Sequence, residues 1–235
     1  RDWSSDVCSS DLDVSADGKT YTVHLKQGVR WQDADCFPGG KGRELVAEDF
    51  LYAWKRLALP DLQSPSTWIF DAKVLGWDEF RKRLRSDPDT AKVMASRIEG
   101  LEAPDAHTLR IRLLRPYPQL RHILAMAYTA PLPREVFEKY GLFALNERIV
   151  GTGPYRLRFF NPQKQRLEPF SGYWGPRPAN GGIDLVGLSN STALFGALSS
   201  GEVDVLLSTS LEIDQQDRKS TRLNSSHVKR SRMPS

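Results

Sequence analysis

The sequence predicts a mixed α/β fold, because segments with the two-residue period of a strand alternate with segments of helical period. Tyr21, Val23 and Leu25 alternate with polar residues, which is typical of a strand with one buried face. Between residues 47 and 57, apolar residues recur at helical spacing instead. Residues 151–155, Gly-Thr-Gly-Pro-Tyr, predict a shaped turn into a further strand, since Gly permits unusual backbone angles and Pro fixes φ.

The peptides at the two ends of the chain can be encoded by one DNA segment, which decides whether they count toward the composition. Residues 2–12 read DWSSDVCSSDL, and residues 217–227 read DRKSTRLNSSH. Opposite strands of one DNA segment can encode both peptides, which resemble the translation of a common sequencing-library adapter. We therefore expect residues 1–12 and 217–235 to be non-biological. The informative chain then runs from residue 13 to 216 and is part of a longer gene product.

Charge and cysteine content exclude several classes of function. The 33 basic and 29 acidic residues include one and three, respectively, in the first end segment, and six and one in the last. The remaining 26 basic and 25 acidic residues are nearly balanced, so nucleic acid is not an expected partner. Cys36 is then the single cysteine, which excludes an internal disulfide and offers no zinc-ligand spacing. The sequence contains no run of about 18 apolar residues, so it predicts no membrane-spanning helix.

The first half of the informative chain predicts strands, a Gly-rich loop and three helices. His24 lies on the polar face of the first strand, residues 28–31 predict a turn into a second strand, and residues 33–43 predict the loop. Shorter helices are predicted at residues 77–85 and 90–97. In the helix near residue 50, the positions predicted to face the core are Phe50, Ala53, Trp54 and Leu57, and those predicted to face away are Glu48, Asp49, Lys55 and Arg56.

The middle of the chain predicts one strand and two helices. Leu109, Ile111 and Leu113 alternate with Arg110 and Arg112, which indicates a strand with an apolar face. Apolar spacing predicts helices over residues 120–127 and 134–140. Gly141 then occupies the position after the last helical turn, where glycine is common.

The last part of the informative chain returns to strand, strand, helix and strand. After the turn at residues 151–155, strands are predicted at 155–159 and 183–188, with a less regular one between them. Ser191 is predicted to cap a helix over residues 192–200. Residues 203–205 are predicted to begin a further strand.

The parts of an enzyme active site are not present at the spacing that catalysis requires. The informative chain has three histidines, His24, His107 and His122, and none has a partner at motif spacing. Nucleophile-elbow, phosphate-loop and metalloprotease motifs are all lacking. The acidic pairs at residues 48–49 and 87–89 are typical of solvated helix starts and turns. We expect no catalytic residue, no cofactor and no metal site.

Six short motifs together carry a family resemblance. They are residues 15–25 (SADGKTYTVHL), 28–33 (GVRWQD), 47–50 with 55–57 (AEDF, KRL), 151–155 (GTGPY), 173–175 (YWG) and 200–204 (SGEVD). No single motif is specific. Their order and spacing resemble the extracytoplasmic solute-binding proteins of ABC importers in the oligopeptide- and dipeptide-binding family, solute-binding protein family 5. The resemblance covers nearly the whole informative chain and less than half of such a protein.

The resemblance implies part of a periplasmic-binding-protein clamshell, of the type II-like kind with two lobes and a small extra subdomain. Residues 13–133 are expected to form that mixed α/β subdomain of lobe one, and residues 134–216 to re-enter lobe one. Residues 151–155 would be the crossover between them, a structural motif that binds nothing itself.

The implied function is that of the substrate-binding component of an ABC importer. Such a protein captures extended peptides or similar small solutes outside the cytoplasmic membrane and delivers them to permease subunits. It is expected to act without catalysis, as a monomer, in a periplasmic or extracytoplasmic location, with a lipid anchor as one option.

The resemblance also implies where ligand would be contacted. The two cleft-lining places of the family fall on the loop at residues 64–68 and just after the Gly-Glu-Val-Asp motif. The candidate ligand-binding residues are Ser66, Trp68, Val205, Leu206, Leu207 and Ser208. Peptide binders often have an aromatic residue at the positions of Ser66 and Leu207, so this chain leaves peptide specificity open. Val46 also stands where the family usually has a Thr helix cap. The loss of that cap lowers the stability of the helix by about 1 kcal/mol.

Two alternatives remain within the same architecture. The clamshell can serve as a ligand-sensing regulatory module that reports to a chemoreceptor or sits on a transcription regulator. It can also bind non-peptide solutes, such as metal chelates or sugars. A secretory or lipoprotein signal would favour transport, whereas a helix-turn-helix would favour regulation.

Overall fold

The computed structural model describes residues 9–206 except 147, 162 and 189, and it has the alternating strands and helices of the predicted class. In the described residues the strands are β1 (Ser9–Val14), β2 (Thr20–Leu25), β3 (Leu101–Asp105), β4 (Thr108–Arg112), β5 (Tyr155–Phe160), β6 (Lys164–Pro169) and β7 (Ile183–Val186). The α-helices are α1 (Ala47–Leu57), α2 (Trp77–Ser86), α3 (Thr90–Ala95), α4 (Leu120–Ile123), α5 (Arg134–Tyr140) and α6 (Ser191–Ser199).

The larger sheet is antiparallel, with the strand order β1-β2-β4-β3. Tyr21 pairs with Ile111, and Val23 pairs with Leu109, across β2 and β4. This register puts the apolar positions of both strands on one face, as two-residue alternation requires. Trp54 of α1 lies in the same buried cluster as Tyr21, Leu109 and Ile111. The strands predicted around residues 21–25 and 109–113 are confirmed.

Strand β3 was not predicted from the sequence. Its residues read Leu-Glu-Ala-Pro-Asp, in which Pro104 and two acids obscure the strand period. The register between β3 and β4 shifts after the pairing of Leu101 with Ile111 and before that of Asp105 with Thr108. Proline is tolerated here because β3 is an edge strand of the sheet.

Strand β1 includes residues 9–12, which belong to the segment expected to be non-biological. Leu12 pairs with Val23, and the register becomes irregular between Ser9 and Asp11. Ladder bonds use backbone groups that every residue except proline supplies, so this pairing does not separate a native from a foreign segment. The expectation for residues 1–12 stays a prediction, and residues 217–235 lie outside the described part of the chain.

The helices agree with the sequence in place but not always in length. Those predicted at residues 77–85, 90–97 and 134–140 are confirmed, and Gly141 ends α5 with φ 85°. The helix predicted over residues 120–127 is wrong in extent, because α4 is a single turn. A short 3-10 helix, Ala127–Thr129, follows it.

The strand predicted after residues 28–31 is wrong. Arg30 makes one isolated bridge with Glu44, and no regular strand follows. Val29 and Trp31 are instead buried in a small core with Phe37. Their period-two spacing places both side chains in this one cluster without forming a strand.

The prediction that Asp49 faces away from the core is wrong, because its side chain is 3% exposed. Its Oδ2 accepts bonds from the Trp31 indole Nε1 at 3.2 Å, the Val46 backbone N at 3.0 Å and Arg43 Nη1 at 2.8 Å. Arg43 Nη2 donates to Oδ1 at 2.7 Å. The Val46 backbone N–H at the start of α1 is thus bonded to the Asp49 side chain, which is one of the two bonds of a capping box. The other bond needs a hydroxyl at residue 46, which valine lacks.

Arg43 joins this carboxylate to helix α5. Its Nε donates to Glu135 Oε1 at 2.5 Å and its Nη2 to Oε2 at 3.0 Å. Burial works to raise the pKa of Glu135, but the hydrogen bond and charge of Arg43 outweigh it and hold that pKa below its ordinary value. One guanidinium therefore links the start of α1 to the start of α5 through two carboxylates.

The prediction that Arg56 faces away from the core is also wrong, because Arg56 is 4% exposed. Its guanidinium carbon lies 3.5 Å from the centroid of the Phe137 ring, and Nη2 donates to the Leu142 carbonyl at 2.7 Å. Burial lowers the pKa of Arg56 from its ordinary value. Arg56 thus fastens the end of α1 to α5 by stacking and one backbone bond.

Gln32 fixes the shaped turn at residues 151–155. It is 4% exposed, and its Nε2 donates to the carbonyls of Gly153 at 3.1 Å and Tyr155 at 2.6 Å. Its backbone N donates to the Gly151 carbonyl at 2.9 Å. One buried amide side chain therefore donates to two carbonyls of the Gly-Pro segment.

The described residues divide into two compact units. The first consists of the described part of residues 1–158 together with Leu167–Ile183, and the second of Phe159–Arg166 with the described part of residues 184–235. The smaller sheet has the strand order β5-β6-β7. The expected lobe boundary between residues 133 and 134 concerns a complete clamshell and stays a prediction.

Two details of the second unit differ from the sequence expectation. The cap of α6 is Asn190, whose side-chain Oδ1 accepts from the Ala193 backbone N at 2.8 Å, so the predicted cap Ser191 is the first helical residue instead. The strand predicted to begin at residues 203–205 is wrong, since these residues belong to no strand. Gly201 follows the helix with φ 76°, a conformation in which glycine is unstrained.

We expect Asp49→Asn to lower the free energy of unfolding by about 2–3 kcal/mol, because it leaves the partly buried Arg43 with one carboxylate instead of two. Urea denaturation followed by tryptophan fluorescence measures this change. Glu48→Gln is the matched control, since Glu48 is exposed in the same turn and loses the same charge. Equal effects of the two substitutions would contradict the buried role of Asp49.

We expect Gln32→Glu to lower the free energy of unfolding by about 2 kcal/mol, because a carboxylate would face the carbonyl oxygens of Gly153 and Tyr155. Hydrogen exchange at residues 151–155 should accelerate in the variant. The exposed Gln27→Glu serves as control. Unchanged exchange at residues 151–155 would show that Gln32 does not hold this turn.

We expect the free energy of unfolding to fall at acid pH, in part through Glu135. Its pKa lies below the ordinary value of 4.5 in the folded chain, so its charged form stabilises the fold above about pH 4.5. That contribution disappears as the pH falls through the folded pKa. Stability measured from pH 7 to 3 should change less steeply in Glu135→Gln than in the exposed control Glu138→Gln, and equal slopes would refute the assignment.

Candidate functional site

The candidate ligand-binding residues lie in two separate places, one in each compact unit. Ser66 and Trp68 belong to the first unit and lie in one 3-10 helix, Pro65–Ile69. In the second unit Val205 is 71% exposed and Leu206 is half-buried. Leu207 and Ser208 lie outside the described residues. All six assignments remain predictions.

The backbone on both sides of the Trp68 segment is strained. Gln63 has φ 44° and Ala72 has φ 55°, and they are the non-glycine residues with positive φ in the described part of the chain. A side chain in this left-handed region costs on the order of 1 kcal/mol, so such residues persist only where their surroundings hold them. Ala72 is held by Asp78, whose Oδ2 accepts from the Ala72 backbone N at 3.1 Å.

Residues 64–71 are anchored at both ends of the 3-10 helix. Ser64 Oγ accepts from the Ser66 backbone N at 3.2 Å, which caps the first turn. Ile69 and Phe70 follow and are fully buried. Ser66 is 4% exposed, whereas Trp68 is 44% exposed. Of the two residues that the sequence singled out here, Trp68 is therefore the one whose side chain a ligand can reach.

Lys73 lies beside Trp68 and was not predicted from the sequence. Its Nζ donates to the Trp68 carbonyl at 2.6 Å and lies 5.7 Å from the Trp68 ring centroid. The ring centroid of Tyr117 is 5.5 Å from the same atom. An ammonium group is therefore held near two aromatic rings, within the range of cation–π attraction. Tyr117 is distant in sequence, so only the folded chain shows this grouping.

A second, open concavity of about 440 Å³ lies at the end of β2, lined in part by His24, Asp105 and His107. Each of its two histidines contacts a carboxylate of a residue outside this lining. His24 Nε2 lies 3.2 Å from Asp13 Oδ2, and His107 Nε2 lies 3.2 Å from Glu44 Oε1. Glu44 also accepts from a backbone amide, which together with His107 lowers its pKa. These contacts fix a loop and two strands.

Among residues 9–206, leaving out the three positions not described, no three His, Cys, Asp or Glu side chains are grouped to hold a metal ion. None of the helices in that part of the chain combines the length and apolar composition of a bilayer span. Cys36 is half-buried, and burial raises the pKa of its thiol.

The chain is similar in sequence to known peptide-binding proteins. The chain is 26% identical over 193 residues to the periplasmic oligopeptide-binding protein OppA of Escherichia coli K12, which covers 80% of this chain and 32% of that protein. It is 30% identical over 171 residues to the dipeptide-binding protein of the same organism, covering 71% of this chain and 29% of that protein. The chain thus spans about a third of the length of these relatives.

Solved structures share the fold. The substrate-binding domain of an oligopeptide ABC transporter from Bacillus anthracis superposes with a TM-score of 0.69 at 23% identity, over 93% of this chain and 39% of that chain. MoaA of Agrobacterium tumefaciens R10, solved with mannopinic acid, gives a TM-score of 0.68 at 24% identity, over 93% of this chain and 37% of that chain. At these identities the likeness establishes the fold, and it confirms the predicted class of periplasmic-binding-protein architecture.

The profile of one family matches almost the entire sequence, from residue 3 to residue 233. Its description is "Bacterial extracellular solute-binding proteins, family 5 Middle". The match includes every motif on which the resemblance was based. The chain belongs to family 5 of the bacterial extracellular solute-binding proteins.

Proposed function

We propose that the chain is part of the substrate-binding component of an ABC importer, which captures extended peptides or similar small solutes outside the cytoplasmic membrane. Family membership carries this proposal, because the profile match extends over residues 3–233. Relatives that are named periplasmic or peptide-binding support both the location and the ligand class. Delivery to membrane permease subunits and a monomeric state belong to the same proposal, with a lipid anchor as one option.

The geometry of the first unit suits a binding role. Buried bonds from Asp49, Arg43 and Gln32 fasten the loops of this unit to its helices, so its surface is preorganised. Trp68 stands on that surface in a segment flanked by strained residues, and such strain clusters at ligand-contacting sites. An exposed aromatic side chain on a rigid support offers apolar contact area at low entropic cost.

Ligand capture in this proposal requires a second lobe. A clamshell closes by a hinge motion, and the ligand shifts the equilibrium through contacts that it makes with both lobes. Residues 13–133 would act as the small subdomain of lobe one, with residues 134–216 re-entering that lobe. A peptide backbone would be held as an added strand, while the candidate residue Trp68 contacts one of its side chains.

A non-peptide solute is the second candidate ligand class. The Agrobacterium tumefaciens structure with mannopinic acid superposes as well as the oligopeptide-binding one, at TM-scores of 0.68 and 0.69. Ser66 and Leu207 also stand where peptide binders of the family often have aromatic residues. Use of the clamshell as a sensory module is a further alternative, and adjacent permease and ATPase genes would favour transport over it.

We expect this chain alone to bind tri- to pentapeptides with a Kd weaker than about 1 mM, and a complete protein with both lobes to bind its ligand at about 1 μM. The difference arises because one lobe supplies only part of the contacts. Isothermal titration calorimetry with peptides and sugar acids measures both values. Micromolar binding by this chain alone would contradict the two-lobe assignment. A complete protein that bound no member of either class would overturn the proposed function.

A further inference from the structure

A cationic, aromatic surface surrounds Trp68 in the first unit. The Lys73 carbonyl accepts from the Leu114 backbone N at 2.8 Å, which brings Leu114 next to the Trp68–Lys73 pair. Leu114 is 49% exposed and Trp68 is 44% exposed. The Tyr117 ring is also within 5.5 Å of Lys73 Nζ. We call these four residues the Trp68 patch: Trp68, Lys73, Leu114 and Tyr117.

Backbone contacts with the end of β4 and a bond from β2 hold the Trp68 patch in place. Val74 makes an isolated bridge with Leu113, and the Leu75 backbone N donates to the Arg112 carbonyl at 3.0 Å. Residues 73–75 thus lie beside the end of β4 and are hydrogen-bonded to residues 112–114. The Tyr21 hydroxyl donates to the Tyr117 carbonyl at 3.0 Å, which ties that residue to β2. A surface supported in this way loses little entropy when it binds.

The charge of the patch is not neutralised within the chain. Among the described residues, no carboxylate lies within salt-bridge distance of Lys73 or of the neighbouring Arg115. Asp71, the nearest acid in sequence, is engaged by Arg81 Nη1 at 2.5 Å and the Trp77 indole at 2.8 Å. Lys73 Nζ has three N–H donors, of which two face the carbonyls of Trp68 and Asp71. The third can meet a ligand.

We propose that the Trp68 patch binds a carboxylate group of the ligand at Lys73 and an adjacent apolar group on Trp68 and Leu114. A carboxylate is the complement of an unpaired ammonium, and charge-assisted bonds of this kind are stronger than neutral ones. An exposed Trp beside a cation is also the composition in which binding hot spots are enriched. The ligand class is therefore a short peptide, or a similar solute, with a carboxylate next to an apolar group.

This inference rests on the proposed function, since it places Trp68 at the ligand. The carboxylate can come from an acidic side chain or from a free C-terminus. Three peptides distinguish these sources: acetyl-Ala-Ala-Ala with a free C-terminus, the same peptide as its amide, and acetyl-Glu-Ala-Ala amide. Only the second carries no carboxylate.

The test is a titration of the ¹⁵N-labelled 235-residue chain, followed by the Trp68 indole and Lys73 amide signals in NMR spectra. We expect concentration-dependent shifts at millimolar concentrations of the carboxylate peptides, about fivefold weaker binding of the neutral amide, and a similar loss in Lys73→Met. Lys82→Met is the matched control, because Lys82 is exposed on α2 and loses the same charge.

Equal shifts with the neutral amide, unchanged binding in Lys73→Met, or no shift with any peptide would overturn the inference. The proposed function fails separately, through calorimetry on a complete two-lobed protein. A complete protein that binds peptides without preferring carboxylates would leave the function intact and remove the role of Lys73.

Discussion

The buried carboxylate of Asp49 is the constraint on which the first unit depends. An ionised group with 3% exposure is costly unless all its hydrogen-bonding capacity is used, and here Arg43, the Trp31 indole and the Val46 amide use it. All three partners lie within the 18 residues that precede Asp49 in the chain. The cost of burial therefore enforces the joint placement of the Trp31 loop, the Gly-rich loop and the start of α1. Through Arg43 the same constraint reaches Glu135 and helix α5.

That arrangement also positions the candidate site, through a row of aromatic rings. Trp54 of α1 lies 5.4 Å from Phe70, and Phe70 lies 4.8 Å from Trp77 of α2, measured between ring centroids. Phe70 immediately follows the 3-10 helix that carries Trp68. The exposed Trp68 is thus supported by a buried chain of contacts that begins on the helix fixed by Asp49. Preorganisation of this kind lets a surface bind without first becoming ordered.

The sequence predicts much of the fold because most of its strands and helices carry a clear period. Residues 20–25, 77–86 and 134–140 are examples. It fails where tertiary contacts outweigh local pattern. Polar character placed Asp49 and Arg56 at the surface, yet Asp49 is buried with Arg43 and Arg56 is buried against Phe137. Pro104 also concealed an edge strand. For the site, the resemblance pointed to Trp68, but Lys73 and Tyr117 join it only through folding, which no local pattern records.

The most direct test of this account is hydrogen exchange in Arg43→Met, since Arg43 is the group that joins Asp49 to Glu135. The Trp31 indole, the Val46 amide and the amides of α5 should all exchange faster together in this variant. The exposed control Lys41→Met should change none of them. Native protection of α5 alongside a destabilised Trp31 loop would contradict the claim that one buried cluster organises the unit.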